Sequence, residues 1–261
     1  MNTPSVQTLS PIKSNDSILP GIRLMWLEAP EIARIARPGQ FIMIRCAGET
    51  FLRRPLSIFR LSADKTCLAF LFAVVGQGTT WLANARPGDK LDLRGPLGNG
   101  FSIDREIKNA VLIAGGLGLA PLGFLADELA ALGVRVSFMY GAASAHLLCP
   151  DYLLPEVTER VIATNDGSCG RQGFITSFLP EYLTSEASLF ACGPTPMYRS
   201  LARQNILQNR GTEVSLEVRM ACGLGVCYGC SVNTHQGLKQ VCKHGPVFKL
   251  NDVLWDELAD I

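Results

Sequence analysis

This 261-residue sequence has almost no excess of charge of either sign: 24 Lys and Arg stand against 23 Asp and Glu, a formal net charge of +1. That balance gives no electrostatic ground for nucleic acid or an anionic membrane surface as partner. Long apolar runs are missing too; none approaches the roughly 20 residues of a membrane-spanning helix. The polar stretch 1–16 lacks the apolar core of an export signal and reads as a short frayed lead-in to the first strand of a cytoplasmic protein. Histidine is scarce, with three in all. No Ser/His/Asp triad or carboxylate pair stands out, so no side chain is assigned a catalytic role and bound cofactors are expected to carry the chemistry. Internal repeats and low-complexity linkers are absent, which leaves any domain edges soft by several residues. What is present is a 48% hydrophobic content, enough for a sizeable core in one large domain or two to three smaller ones.

Cysteine is abundant, and its nine residues are an odd number with no secretory context, which favours thiolates kept for a metal over a disulfide framework. Five are scattered (Cys46, Cys67, Cys149, Cys169, Cys192), and four crowd together as Cys222, Cys227, Cys230 and Cys242. The spacing C-x4-C-x2-C-x11-C begins like the plant-type [2Fe–2S] pattern, with three thiolates on one tight loop and a fourth from a neighbouring segment. Gly223, Gly225 and Gly229 are expected to let the backbone wrap closely and turn N–H groups toward the sulfurs. The competing readings are structural zinc, helped by His235 and His244, and buried free thiols. Zinc usually pairs two C-x2-C knuckles, and only one is present.

The rest of the chain has two grammars. From about Ile18 to Phe101, short apolar runs (Gln40–Ile44, Leu68–Val75, Lys90–Leu93) alternate with the turn pairs Pro38-Gly39, Pro87-Gly88 and Gly95-Pro96, as in a barrel. A helix over Thr79–Ala85 is inserted in it. From about Asp104 to Gly211, the strands Ala110–Ala114, Val134–Tyr140 and Leu189–Ala191 alternate with helical segments such as Leu122–Leu132, the rhythm of a doubly wound parallel sheet. The expected fold is therefore α+β and multidomain: an antiparallel β-barrel (1–103), a doubly wound α/β domain (104–214) and a small C-terminal [2Fe–2S] module (215–261).

Four further segments carry candidate binding residues. Arg53-Arg54-Pro55-Leu56-Ser57 follows a predicted strand; it is either an exposed basic turn or a pyrophosphate-binding edge, since a guanidinium pairs bidentately with phosphate. Phe72-Ala73-Val74 is either an ordinary core strand or, with Gly78-Thr79 opening a helix, the second half of that site. Gly115-Gly116-Leu117-Gly118 follows an apolar strand directly, with Pro121 in place of the last glycine of the dinucleotide fingerprint. Cys192-Gly193-Pro194 forms a second turn at a strand's carboxyl end, where open α/β sheets bind ligands. At the end of Val134–Tyr140 neither an acidic residue nor an arginine stands, so NAD over NADP is only a lean.

The order Arg-Arg-Pro-Leu-Ser-Ile, Gly95-Pro-Leu-Gly-Asn-Gly-Phe101, Gly-Gly-x-Gly-x-Ala-Pro, Asp166-Gly-Ser168, Cys-Gly-Pro and the cysteine module with Gly245-Pro-Val-Phe248 resembles the electron-transfer subunits of bacterial type B dihydroorotate dehydrogenases, within the ferredoxin–NADP reductase superfamily. The resemblance runs from about Gly39 to Phe248. It implies FAD in the barrel, held by Arg54, Pro55, Leu56 and Ser57 with Phe72, Ala73, Val74, Gly78 and Thr79. It implies NAD in the α/β domain, between the Gly115/Gly116/Gly118 turn and the Cys192-Gly193-Pro194 turn, and one [2Fe–2S] cluster on the four cysteines. The implied partner is an FMN-containing catalytic subunit, two of each subunit per assembly, with electrons passing from FMN through the cluster and FAD to NAD⁺ in pyrimidine synthesis. Two departures stand out: Leu56 where many superfamily members have a stacking aromatic, and His244 where many relatives have an acid, a change expected to raise the cluster potential. Subunits of sulfide dehydrogenase- or hydrogenase-associated complexes share the three modules, but some replace the first cluster cysteine by aspartate, unlike Cys222. A redox sensor that has lost flavin is the remaining alternative, and the intact Arg54–Ser57 and Gly115–Pro121 segments speak against it.

Overall fold

The computed structural model describes residues 5–46, 51–104, 106–208 and 210–258. The barrel is built from β1 (Val6–Leu19), β2 (Ile22–Glu28), β3 (Phe41–Ile44), β4 (Arg54–Ser57), β5 (Arg60–Leu61), β6 (Cys67–Ala73) and β7 (Lys90–Leu97), in the order β4-β3-β7-β1-β2-β6-β5. Every pairing among them is antiparallel. The two edge strands are consecutive in the chain, and the link between them closes the barrel: Ile58 N–H donates to Gln40 O and Phe59 N–H to Ala69 O. Closure leaves no long free edge. A one-turn helix, α1 (Pro30–Ala33), and the inserted helix α2 (Gln77–Asn84) complete this part.

The frayed lead-in expected over residues 1–16 gives way to a strand from residue 6, residues 1–4 lying outside the described residues. Val6–Leu19 is a 14-residue strand, the longest in the chain, and it pairs with β7 through its first half and β2 through its second. Its alternation is real but locally broken: Ser10 shares the buried face with the core residue Ile12, while Leu9 is 66% exposed. A reading based on hydrophobic periodicity misses such a strand.

The second sheet uses β8 (Asn109–Gly115), β9 (Arg135–Ala142), β10 (Glu159–Thr164), β11 (Arg171–Gln172), β12 (Ser188–Cys192) and β13 (Glu213–Ser215), all parallel. The order is β11-β10-β9-β8-β12-β13, so the chain winds one way from β8 to β11 and then returns to the other side of β8. Helices α3 (Leu119–Ala131), α4 (Leu179–Tyr182) and α5 (Thr195–Ala202) connect the strands. Strand β8 is buried along Ala110–Ala114, the continuous apolar run expected of a parallel strand covered on both faces.

The cysteine segment folds as a loop, the hairpin β14 (Ser231–Thr234) and β15 (Gly237–Gln240), the short helix α6 (Val241–His244) and strand β16 (Val247–Lys249). Strand β16 pairs antiparallel with β13 and so becomes the edge strand of the second sheet. The buried Glu213 carboxylate fixes this junction: it accepts from Lys249 Nζ (2.9 Å) and from Ser102 N–H (2.8 Å), joining barrel, sheet and cysteine segment at one group. Among the described residues no helix is long and apolar enough to cross a membrane.

Candidate cofactor and cluster sites

On the barrel, Arg54, Pro55, Leu56 and Ser57 form β4, all half-buried and paired residue for residue with β3. The adjacent arginines have separated roles. Arg53 turns inward to a two-nitrogen pair with the Asp92 carboxylate (2.7 and 3.1 Å) and also donates to Asp92 O. Arg54 lies across Gly78 at the N-terminal end of α2, so close that a Cβ there would collide with the guanidinium. The structure thus brings together the two halves of the expected pyrophosphate site, a guanidinium and a helix N-terminus. Thr79 serves the loop itself: its Oγ1 accepts from Val75 N–H (2.9 Å) and Gly76 N–H (3.1 Å). The other end of α2 is held by Asn15, whose Nδ2 donates to the carbonyls of Leu82, Ala83 and Ala85. Phe72 is buried in the barrel core, the ordinary-strand reading of that side chain; Ala73 and Val74 beyond it are half-buried.

In the second sheet the winding direction reverses between β8 and β12, which lie side by side. Both glycine turns emerge at the carboxyl ends of these two strands, at the switch point where such sheets bind nucleotides. The turns pack directly on one another. A Cβ on Gly118 would land on the Cys192 carbonyl, and one on Gly115 would meet Pro194 Cδ at 2.9 Å and Met197 Sδ at 3.0 Å. Gly116 faces open space at φ +53°. Pro121 sits in the first turn of α3, where its missing N–H leaves no helical bond unmade.

Two functional candidates here were not read from the sequence. The first is Asp166, absent from the end of β9 but delivered to it by the neighbouring strand β10. Its Oδ1 accepts from Ser168 N–H (3.0 Å) and Ser168 Oγ (2.6 Å), and Ser168 Oγ lies 3.3 Å from Ser144 Oγ beyond β9. These bonds, the Ser168 hydroxyl foremost, bring the carboxyl down to about 2. The Asp-Gly-Ser triplet was the available signal. The second is Glu217, which is exposed two residues beyond β13; the protein packed around it raises its carboxyl above the usual range. Burial, reinforced by the Glu217 charge, likewise pushes the Cys192 thiol well up.

The four cluster cysteines come together as two pairs. The Cys222 and Cys227 thiols interact, as do those of Cys230 and Cys242. Backbone N–H groups aim at all four sulfurs: Leu224 at Cys222 (3.3 Å), Gly229 at Cys227 (3.4 Å), Cys242 at Cys230 (3.4 Å) and Gly225 at Cys242 (3.1 Å). Gly223 and Gly225 adopt φ of +68° and +74° as expected, but the third left-handed position is Tyr228 (φ +59°) and not Gly229. For a bulky side chain that conformation is uncommon and costs on the order of 1 kcal/mol or more. Burial opposes ionisation of Cys222, but N–H groups of Leu224, Cys227 and Val226 outweigh it and lower the thiol to about 6. Burial, with the neighbouring Cys230, raises Cys242 to about 12.

This donor set fits a [2Fe–2S] cluster, which takes two thiolates per iron and N–H donors around the sulfurs. Neither histidine joins in. His235 is exposed on the β14–β15 turn, and His244 Nδ1 accepts from Gln240 N–H (3.1 Å).

Residues 217–254 match the family model described as the iron–sulfur cluster binding domain of dihydroorotate dehydrogenase B. The chain is 40% identical over 249 residues to the dihydroorotate dehydrogenase B (NAD⁺) electron transfer subunit of Desulforamulus reducens, covering 92% of this chain and 95% of that one. It is 38% identical over 224 residues to the same-named subunit of a Geobacillus species, covering 83% and 86%. Among solved structures it resembles a chain of the NADH-dependent reduced ferredoxin–NADP oxidoreductase, with a TM-score of 0.86, 29% identity and coverage of 96% and 91%. A ferredoxin reductase of carbazole 1,9a-dioxygenase, at TM-score 0.66 and 21% identity, shares the fold of the barrel and parallel sheet. With relatives this similar over nearly its full length, the chain belongs to the family of dihydroorotate dehydrogenase B electron transfer subunits.

Proposed function

We propose that this chain passes electrons from the FMN of a partner dihydroorotate dehydrogenase subunit, through a [2Fe–2S] cluster and FAD, to NAD⁺. The observation that carries the reading is the coexistence in one chain of two thiol pairs ringed by N–H donors, an arginine over a helix N-terminus, and a nucleotide crevice at a sheet switch point. When bound, FAD supplies the conversion between single-electron and hydride transfer that links a cluster to a nicotinamide.

The chain's own residues bind and orient. Arg54 and the α2 N–H groups neutralise the flavin pyrophosphate, while Arg53 holds β4 in register from below. Pro55, Leu56 and Ser57, with Phe72, Ala73 and Val74, form the walls toward the flavin. Gly115, Gly116 and Gly118 let the nicotinamide dinucleotide approach the backbone beside Cys192-Gly193-Pro194. Asp166, anionic at neutral pH, accepts ribose hydroxyls and repels a 2′-phosphate, which favours NAD over NADP. Cys222, Cys227, Cys230 and Cys242 hold the iron. The exposed apolar side chains of Leu224, Val226 and Tyr228 rim the cluster loop and mark the face toward the partner. The units 1–103, 104–214 and 215–261, a cytoplasmic setting and two copies of each subunit belong to the same reading.

Co-purification from the native host with an FMN-bearing subunit, followed by a dihydroorotate:NAD⁺ assay, tests it. Dihydroorotate-dependent NADH formation by the pair is expected, and a purified chain without a flavin absorption band would sink the reading. A second reading keeps the cofactors and changes the partner, as in the oxidoreductase complex whose chain this one resembles at TM-score 0.86. In that case NADH-to-dye activity would be present and dihydroorotate oxidation absent.

A further inference from the structure

Behind the Cys192-Gly193-Pro194 turn lies a buried polar junction that none of the binding roles above uses. Tyr198, on α5, is 2% exposed, and its hydroxyl makes two backbone contacts of opposite kind. It donates to Ser215 O at 2.6 Å and accepts from Gly193 N–H at 3.0 Å. The Cys192 thiol touches the same hydroxyl. Burial, first among the causes, holds the phenol's pKa well above its ordinary value, so it stays a neutral donor and acceptor. The ring stacks on Trp255, with centroids 4.9 Å apart and planes 25° from parallel, and the Trp255 indole donates to Leu250 O at 2.7 Å.

The partners of this one side chain belong to different redox ends of the molecule. Gly193 forms the turn beside the nicotinamide crevice. Ser215 is the last residue of β13, from which the chain runs through Leu216 and Glu217 into the cluster loop. Across from Ser215 stands Val247 of β16, and Leu216 N–H donates to Pro246 O at 2.8 Å, close after the last cluster cysteine. Trp255 lies in the C-terminal part of the cysteine module. The next residue, Arg199, adds donation to Trp255 O (3.1 Å) and Leu258 O (2.7 Å), so α5 grips the C-terminal segment twice.

We infer that Tyr198 is a positioning residue whose hydroxyl registers the nicotinamide turn against the segment that carries the cluster. Packing alone does not need the hydroxyl, because phenylalanine would keep both the volume and the stack. Without it, Ser215 C=O loses its partner in a buried site and Gly193 N–H in a half-buried one, and the cheapest relief is a shift of one segment relative to the other.

This inference rests on the assignment of NADH to the switch-point crevice. Wild-type NADH oxidation tests that assignment, and the variants test Tyr198. In the holo-chain, Tyr198→Phe is expected to lower kcat/KM for NADH-to-ferricyanide turnover about tenfold, ~1.4 kcal/mol, at full flavin and iron content. Trp255→Leu removes the ring partner but keeps the hydroxyl, and is expected to stay within about twofold of wild type even if its melting temperature falls. The idea is overturned if Tyr198→Phe also stays within twofold, if both variants lose turnover together, or if Tyr198→Phe loses flavin or iron, since each of those outcomes makes position 198 a packing site only.

Discussion

In the cluster loop, Gly223 and Gly225 stand at φ +68° and +74°, a conformation most side chains avoid, and so their identity answers a demand of the local backbone. In the nucleotide crevice, Gly118 has an ordinary helical φ of −56° and is glycine because another strand's turn lies against it: a Cβ there would sit on the Cys192 carbonyl and 2.9 Å from Gly193 N. One glycine is required by its own dihedral, the other by a residue 74 positions away. The first demand can be encoded in a short motif, whereas the second exists only once β8 and β12 are side by side.

The largest expected effect breaks or confirms this contrast directly. Gly118→Ala should cost about 3 kcal/mol, roughly 10 °C in Tm by calorimetry, with NADH turnover falling alongside. Gly116→Ala, two residues earlier and facing open space at φ +53°, should cost about 1 kcal/mol. Near-equal losses would mean that close packing of the two turns is not what selects glycine at 118.

The cluster loop offers the complementary test, because its glycines are demanded by their own dihedrals, even though a Cβ on Gly223 would also meet Met43. Cys230→Ser should remove the iron and cut dihydroorotate:NAD⁺ turnover of the assembled enzyme by more than the roughly 10–100-fold that loss of an outer-shell partner costs. NADH-to-dye turnover, which needs only the flavin and nucleotide sites, should stay within about twofold. Equal loss of both activities would show that the loop also supports the crevice, contrary to the division drawn between them.

A smaller effect separates the two neighbouring arginines. Arg54→Ala should weaken FAD retention about 10- to 100-fold and leave Tm nearly unchanged in the flavin-free chain. Arg53→Ala leaves the half-buried Asp92 carboxylate to the Gln7 amide, without its counter-charge, and should cost about 2 kcal/mol of stability while leaving flavin content intact. Reversed phenotypes would exchange the roles of the pair.

How much of this was legible beforehand follows from the same physics. The cysteine spacing, the parallel strands Ala110–Ala114, Val134–Tyr140 and Leu189–Ala191, and the helix after Gly78 are all visible in short windows, and the structure places elements over each. Strand β1 was illegible because the buried Ser10 and exposed Leu9 break the alternation that Ile12 and Lys13 otherwise keep. The edge strand β16 has three residues, and its partner β13 precedes it across the whole cluster loop, so no local pattern announces the pairing. Gly229 was chosen for the left-handed position by residue type, yet the loop's geometry puts Tyr228 there and accepts the strain. Tyr198 gave no signal because it gains its role only from groups on other elements.

Asp166 lies between these cases and carries the smallest predicted effect. A search at the end of β9 finds no acid, because the carboxylate arrives from β10 through the Ser168–Ser144 contact. Its folded-state pKa of about 2 is below the ordinary 3.8, so the loop's stabilisation by the charged form is present above that ordinary value and lost as pH falls toward 2. From pH 5 to 9 Asp166 therefore stays ionised, and the preference for NADH over NADPH should be flat with pH across that range. Asp166→Ser should lower kcat/KM for NADH about fivefold, mostly through KM, and raise that for NADPH. A preference unmoved by Asp166→Ser would remove this residue from cofactor selection and leave the crevice to discriminate by the packing of its two turns alone.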